Sequence, residues 1–282
     1  MNILGIRRSP QYSPNSVDRD FAIFSAVVSQ LQKKGHHVST ISEDLFIAVD
    51  LEEFDLVFSM ARGKEVLTQL SSLEEKRPKS VFNSASKLLI YTRSHLVQDF
   101  KQNNIPQPEY TIYNTKEVTS QIISTKESFP FWIKSGNSCA KNEKDVCFIQ
   151  NEMELEDALQ YFLSHDSNEI IIVNHLKGDL IKFYGVEGTD FFKYSYPTEN
   201  NGFSKFGLES HNGSPHHYVF DETSLRTETN RAAQITGYTI YGGDAIITSN
   251  GAFYIIDFND WPSFSSCRKE AAKSIAQRIC GI

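Results

Sequence analysis

Short apolar runs alternate with helical repeats along the first third of the chain. Helices are predicted over 20–34, where Phe24 and Leu31 share one face and Gly35 follows as a C-cap, and over 85–102. Four segments have the composition of strands: NILGI at 2–6, HHVSTI at 36–41, FDLVFSM at 54–60 and KSVFN at 79–83. Strands that alternate with helices predict a parallel sheet, so this part is expected to be α/β.

After the proline-containing segment NNIPQP at 103–108, most of the predicted elements are strands rather than alternating strands and helices. The strand-like segments beyond it are EYTIY, PFWIKS, DVCFIQ, EIIIVNHL, LIKFYGV and DFFKYSYP, with one helical stretch at 152–163. These segments predict an antiparallel, α+β second part. Toward the carboxyl end, helices are predicted over 223–236 and 267–279, and Asn250-Gly251 is the turn pair that favours a β-hairpin.

The charge and cysteine content narrow the possible partners. The 282 residues include 28 basic and 35 acidic ones, a formal charge of −7, which argues against nucleic-acid or anionic-membrane binding but leaves room for a local phosphate pocket. The four cysteines form no CxxC pair and no zinc spacing. No apolar run approaches the roughly 20 residues that span a bilayer, and MNILGIRR is too short for a signal-peptide core. A cytoplasmic location is expected, and the oligomeric state stays open.

Oxygen-bearing side chains follow the apolar strand YIIDFNDWP at 254–262. Asp257 and Asn259 are two positions apart, so both point to one face of the strand. The hairpin turn is expected to bring Asp244 beside them. Two carboxylates and an amide oxygen suit Mg²⁺, which also retains waters and substrate phosphates. The alternative is a capping cluster satisfied by turn amides, with Asp260 as a solvated turn residue facing the other way.

The order of these pieces resembles the ATP-grasp superfamily over residues 83–265. The resemblance implies ATP and Mg²⁺ as cofactors. It also implies a fold of three parts: an amino-terminal parallel α/β domain over 1–105, a small antiparallel lid over 106–178 and a metal-binding domain over 179–282.

The resemblance assigns roles to particular residues. Lys134, in FPFWIKSGN, matches the lysine that contacts the nucleotide phosphates, and Lys182 matches a basic residue that faces phosphates or substrate. Arg231 is the other candidate catalytic residue. The remaining nucleotide-binding candidates are Arg93, Ser138, Asn174, His175 and Leu176. The metal-ligand candidates are Asp244, Asp257 and Asn259. The small-residue loop after Lys134 is expected to be mobile over 136–144 until phosphates bind.

Three positions depart from the usual pattern of the superfamily. His95 stands where an additional ATP-binding lysine is usual, with Arg93 and Lys101 as possible substitutes. Asn174 replaces the common adenine-side Glu, and Asp257 replaces a more frequent Glu. Such changes fit a divergent enzyme or a nucleotide-binding protein without turnover.

Two reactions and one non-catalytic role are compatible with the resemblance. The favoured one is a ligase like glutathione synthetase or ribosomal-protein glutamate ligase, which joins a carboxylate to an amine through an acyl phosphate. The alternative is a kinase of a polyol or inositol phosphate, similar to the inositol trisphosphate 5/6-kinase branch. The cations available to such a kinase are Lys177, Lys182, Lys193, Lys205 and Arg231. The histidines of SHNGSPHHY, at 211, 216 and 217, are expected to lie in a polar loop that could reach over the site.

Overall fold

The structure is a computed structural model that describes residues 1–13, 15–47, 49–137, 143–165, 167–197, 199 and 207–281. The described strands form three four-stranded sheets that follow one another along the chain. The first sheet is parallel and the other two are antiparallel, which confirms the predicted α/β layer followed by an α+β part. None of the described helices is both long and apolar enough to cross a membrane.

The first sheet has the strand order β2-β1-β3-β4, with every pair parallel. Its elements are β1 (Asn2–Arg7), α1 (Val17–Lys33), β2 (His37–Ser42), β3 (Leu56–Ser59), α2 (Lys64–Lys76), β4 (Val81–Phe82), α3 (Ala85–Ile90) and α4 (Arg93–Gln102). Phe24 and Leu31 of α1 are buried in one core with Phe58 of β3. This packing confirms the helix predicted over 20–34.

The structure differs from the sequence prediction at two places in this region. Helix α2 was not predicted, although its buried apolar residues recur at helical spacing. The single helix predicted over 85–102 is divided into α3 and α4. Thr92 is responsible for the break, since its backbone is extended and its Oγ1 accepts a hydrogen bond from the His95 amide at 3.2 Å, which caps the start of α4.

The second sheet has the antiparallel order β5-β8-β6-β7. Its elements are β5 (Tyr110–Asn114), α5 (Ser120–Lys126), β6 (Phe131–Ser135), β7 (Val146–Ile149), α6 (Glu152–Ser164) and β8 (Glu169–Asn174). Phe131 and Ile133 of β6 pack against Leu155 and Phe162 of α6. The alternate residues of β6, Trp132 and Lys134, are only partly buried, because successive side chains of a strand point to opposite faces.

The third sheet has the antiparallel order β10-β9-β11-β12. Its elements are β9 (Asp179–Val186), β10 (Phe192–Ser195), α7 (Glu222–Thr236), β11 (Ile240–Ile247), β12 (Phe253–Asp260) and α8 (Arg268–Ile279). The predicted hairpin is confirmed: Ile247 pairs with Phe253, and Gly251 has a φ of +82°, which glycine adopts without a steric penalty.

The first and third sheets share one hydrophobic core. Trp261 and Phe264, which follow β12, are fully buried in the core that also holds Phe24 and Phe58, and the Phe58 and Trp261 ring centroids are 6.0 Å apart. Helix α8 packs against α1 in the same core. The carboxyl end of β12 is therefore fixed beside the parallel sheet.

Candidate active site

The register of the third sheet aligns three charged residues side by side. Lys182 on β9 pairs with Asp244 on β11, which pairs in turn with Asp257 on β12. Cross-strand neighbours of this kind project from the same face, and Lys182 Nζ lies 3.2 Å from Asp244 Oδ1. The hairpin therefore brings Asp244 to Asp257, as the sequence predicted.

Asn259 completes an oxygen-rich group at the end of β12. It faces Gly242 across the ladder, and its Nδ2 donates a hydrogen bond to Asp257 Oδ2 at 2.6 Å. The strands approach closely here because β11 has glycines at these positions. A Cβ on Gly243 would overlap the carbonyl of Asp257, and one on Gly242 would lie 2.7 Å from Pro262 Cγ.

A β-bulge connects this group to the second sheet. The register of β11 and β12 shifts between Asp244 and Ala245, which leaves Ile256 without a partner in the ladder. Lys134 Nζ, from β6, donates a hydrogen bond to the Ile256 carbonyl at 2.9 Å. Lys134 and Asp257 therefore lie on the same side of one cleft, as the sequence predicted.

Burial governs the charge state of Lys134. Burial, opposed in part by the Asp257 carboxylate and reinforced by the Arg93 guanidinium, lowers the pKa of its ammonium to about 8. Arg93 itself donates a hydrogen bond to the Ser135 carbonyl at 2.6 Å. The Lys134 side chain is thus close to losing its proton near neutral pH.

The pKa of Lys182 is shifted in the opposite direction. Burial alone would lower its pKa, but the carboxylates of Asp244 and Glu209 outweigh that effect and raise it above its usual value. Lys182 Nζ lies 3.2 Å from a carboxylate oxygen of each of them. Lys182 therefore stays charged throughout the physiological range.

Trp132 and His175 line the other end of the cleft, and further rings pack against them. Trp132 Nε1 donates a hydrogen bond to His175 Nδ1 at 3.2 Å, and the Phe148 and His175 rings are 5.0 Å apart. His211 lies against Phe148 with a ring separation of 4.5 Å. Burial, followed by His211 and Lys177, lowers the pKa of His175, so this imidazole is neutral and apolar enough to face a flat heteroaromatic ring.

No family model matches the chain, and no curated protein matches it. Solved structures match it along its full length. D-alanyl-alanine synthetase A from Vibrio cholerae has a TM-score of 0.69 at 13% identity, with 100% of this chain and 98% of that chain covered. A RimK domain ATP-grasp protein from Sphaerobacter thermophilus has a TM-score of 0.68 at 15% identity, with 100% of both chains covered. The chain has the ATP-grasp fold.

Another solved structure that matches the chain is a complex with ATP. It is a D-alanine–D-alanine ligase from Bacillus anthracis, with a TM-score of 0.66 at 13% identity and with 100% of this chain and 95% of that chain covered.

Nine of the predicted site residues line one cleft of about 870 Å³. The predicted residues that line it are Arg93, Lys134, Asn174, His175, Leu176, Lys182, Asp244, Asp257 and Asn259. Ser138 lies outside the described residues, as does most of the loop predicted to be mobile over 136–144.

The donors at the end of β12 suit a hard divalent cation. The described residues include no group of three His, Cys, Asp or Glu side chains able to hold a metal ion, so Asn259 has to complete the set formed by Asp244 and Asp257. Turning the Asn259 amide would present its oxygen instead of its nitrogen. Two carboxylates and one amide oxygen leave positions for waters and phosphate oxygens, as Mg²⁺ prefers.

Two of the sequence predictions need correction. Arg231 does not line the cleft: it is exposed on α7, where it pairs with Glu228 at 2.6 Å and donates to the Asn103 carbonyl at 2.8 Å. Asp260 is not a solvated turn residue. Its side chain is only 1% exposed and pairs with Arg62, because Trp261 anchors this segment in the core shared with the parallel sheet.

The three histidines of SHNGSPHHY lie in different surroundings. The His211 ring contacts Phe148 and Trp132, of which Trp132 lines the cleft. His216 pairs with Asp179 and His217 with Glu199, away from these rings. Of the three candidates for the position of the usual second lysine, Arg93 lines the cleft, whereas His95 is exposed and Lys101 lies over the ring of Tyr110.

Sequence reasoning missed the residues that the parallel sheet contributes. Arg8 and Arg62 line the cleft from the ends of β1 and β3, together with Arg19 and Lys64. A signal was present, since MNILGIRR and VFSMARGK each place basic residues directly after an apolar strand.

Proposed function

We propose that the chain is an Mg-ATP-dependent ligase that joins a carboxylate to an amine through an acyl phosphate. The observation that carries the proposal is the arrangement of Lys182, Asp244 and Asp257 in one row, facing a cleft that Lys134 enters from another sheet. Two cations and two carboxylates on one cleft can bind a phosphorylated substrate together with a divalent cation.

Each group of residues has a distinct task in this proposal. Lys134 and Lys182 bind phosphate oxygens and offset the negative charge of the group in transfer. Asp244, Asp257 and Asn259 hold the magnesium ion, which neutralises phosphate charge when it is bound. The rings around His175 enclose the base of the nucleotide and exclude water from it.

The ligase is favoured over the kinase for two reasons. The ligases named among the similar structures match this chain over nearly their full length. In addition, three of the four described cations considered for an inositol phosphate do not line the cleft. Lys177 and Arg231 do not line it, Lys193 pairs with Glu270 at 3.6 Å, and Lys205 lies outside the described residues.

The test is a substrate-panel assay with product analysis. Purified protein is incubated with Mg-ATP, a set of carboxylates and a set of amines, and ADP and the products are measured together. Acceptor-dependent ADP release with amide formation supports the ligase. A phosphorylated alcohol would replace it with the kinase, and ATP binding without any product would favour a non-catalytic binding protein. Lys134→Ala serves as the inactive control and Arg231→Gln as the surface control.

ATP affinity is expected to fall as the pH rises through the pKa of Lys134. The ammonium is charged below about pH 8 and neutral above it, and only the charged form attracts phosphate. We expect the Kd for Mg-ATP to be flat below this pH and to rise by up to about ten-fold per unit above it. Calorimetric titration at several pH values measures this. Lys134→Arg, which stays charged, should remove the dependence, and an equal dependence in both proteins would contradict the role given to Lys134.

A further inference from the structure

We propose that the end of the cleft next to the parallel sheet binds an oxyanion of the acceptor substrate, a carboxylate or a phosphate group. This inference rests on the proposed function, because it identifies the substrate class of the same site. The basic end, as we name it, consists of Arg8, Arg19, Arg62 and Lys64, with Asp20 and Asp260 among them.

The basic end lies where parallel sheets bind ligands. Arg8 follows β1 and Arg62 follows β3, and these two strands are hydrogen-bonded neighbours. Both arginines therefore extend from the carboxyl edge of the sheet, where ligands of open α/β sheets bind. Asp260 joins them from the end of β12, one position after the metal-ligand candidate Asn259.

The loops that carry the two arginines are held together by one buried carboxylate. Glu43 accepts hydrogen bonds from the amides of Ser9 at 2.9 Å and Arg62 at 2.7 Å, and also from that of Gly63. Arg8 Nε donates to the Met60 carbonyl at 3.1 Å. The guanidinium groups are thus positioned before any ligand arrives, which lowers the entropy cost of binding.

Arg8 has a buried donor without an acceptor. Its side chain is 10% exposed, and Nη1 donates to Asp20 Oδ2 at 2.9 Å. Nη2 has no hydrogen-bond partner among the described residues, and the nearest carboxylate oxygen, Asp260 Oδ2, is 3.6 Å away and equally without a hydrogen bond. A buried donor without a partner is costly, and a ligand oxygen in the cleft would satisfy it.

Two helices also begin at the basic end. Ser16, the N-cap of α1, makes no side-chain capping bond in the described structure, and Gly63, the N-cap of α2, has no side chain to make one. Ser16 and Lys64 line the cleft. The partial positive charge of a helix N-terminus favours an anion. At α2 the Glu43 carboxylate already accepts from the Gly63 amide, so the start of α1 is the one that adds to the attraction for a ligand.

The charge of the basic end agrees with this assignment. Among the described residues that line it, four are basic and two are acidic, whereas the whole chain has a formal charge of −7. A local excess of positive charge in an acidic protein selects an anionic partner. An acceptor held here by one oxyanion would direct its other end toward Asp257 and Asn259, so the acceptor has a second functional group that reacts.

Calorimetric titration with inorganic phosphate and with glutarate tests the proposal. The protein is first saturated with Mg²⁺ and a non-hydrolysable ATP analogue, so that the nucleotide phosphate subsite is occupied. We expect at least one probe to bind the parent, phosphate indicating a phosphorylated acceptor and glutarate a dicarboxylate. Arg62→Gln should weaken that binding by about ten-fold or more, and Lys64→Gln by about two- to five-fold. Arg231→Gln, which removes a surface arginine, should match the parent.

Several outcomes separate this inference from the proposed function. If neither probe binds the nucleotide-saturated parent, or if binding is unchanged in Arg62→Gln and Lys64→Gln, the basic end is not an anion site. The proposed ligase function is not affected by that result as long as the ATP analogue binds. If the analogue fails to bind, the proposed function is wrong. The probes are then titrated into Lys134→Gln, which lacks the lysine proposed to bind phosphate, and into Lys134→Gln/Lys64→Gln. Weaker probe binding by the double variant would still support the anion site. Lys64 is exposed, so Lys64→Gln is expected to fold. It therefore tests the anion site even if Arg62→Gln does not fold.

Discussion

Asp257→Asn is expected to lower turnover by about 10²–10³-fold while leaving the unfolding temperature at or above that of the parent. The variant keeps the shape of the side chain but removes a charge where the metal site must offset that of a divalent cation. Stability should not fall, because Asp257 is a partly buried carboxylate opposite Asp244. Burial and the like charge of Asp257 raise the pKa of Asp244 against the effect of Lys182, so neutralising Asp257 relieves a repulsion.

Steady-state kinetics and thermal unfolding with and without Mg-ATP measure the two effects. The parent should gain stability on adding Mg-ATP and the variant should gain less, because stabilisation by a ligand follows its affinity. Asp190→Asn is the matched control: it also removes a carboxylate, but one that is fully exposed and pairs with Arg226 at 3.0 Å. If Asp257→Asn keeps full activity and the full Mg-ATP shift, the group is a capping cluster rather than a metal site.

The metal-ligand candidates could be found from the sequence because short-range rules determine their positions. The two-residue period of β12 puts Asp257 and Asn259 on one face, and the Asn250-Gly251 turn predicts the hairpin that brings Asp244 near them. The exact pairing depends on the bulge, because the register at the turn continued unbroken would place Asp244 opposite Ile256 rather than Asp257. The bulge that frees the Ile256 carbonyl for Lys134 has no such local signal. The approach of Lys134 to β12 was expected only from the resemblance to ATP-grasp proteins.

The sequence analysis missed or misplaced residues whose surroundings depend on segments far away in the sequence. Arg62 and Asp260 are 198 positions apart in sequence, and no periodicity relates them. The alternation rule places Asp260 on the face opposite Asp257 but does not say that the parallel sheet covers that face. Arg231 shows the same limit, since the position of α7 decides which of its faces reaches solvent, and Arg231 is exposed and does not line the cleft.

Asp260→Ala is expected to destabilise the protein by on the order of 3 kcal/mol, which corresponds to a drop of roughly 5–10 °C in Tm for a chain of this length. The Asp260 carboxylate is 1% exposed and pairs with Arg62, whose side chain is 22% exposed, and with Arg8 at 3.6 Å. Removing Asp260 takes away the buried carboxylate that pairs with Arg62 and leaves Asp20 as the carboxylate that pairs with Arg8, so part of the desolvation cost of the arginines is no longer offset.

The contrast with Asp257→Asn makes the prediction specific, because the two carboxylates lie three positions apart on one strand and only the Asp260 variant should unfold early. Asp260→Asn keeps an acceptor for Arg62 and should cost less than Asp260→Ala. The double variant Arg62→Gln/Asp260→Asn should lose less stability than the two single variants together, since each single change removes the opposite charge that the other residue pairs with. Thermal and urea unfolding of the parent and the four variants measure this. A parent-like Tm for Asp260→Ala, or strict additivity in the double variant, would show that the pair between the parallel sheet and β12 contributes nothing to stability.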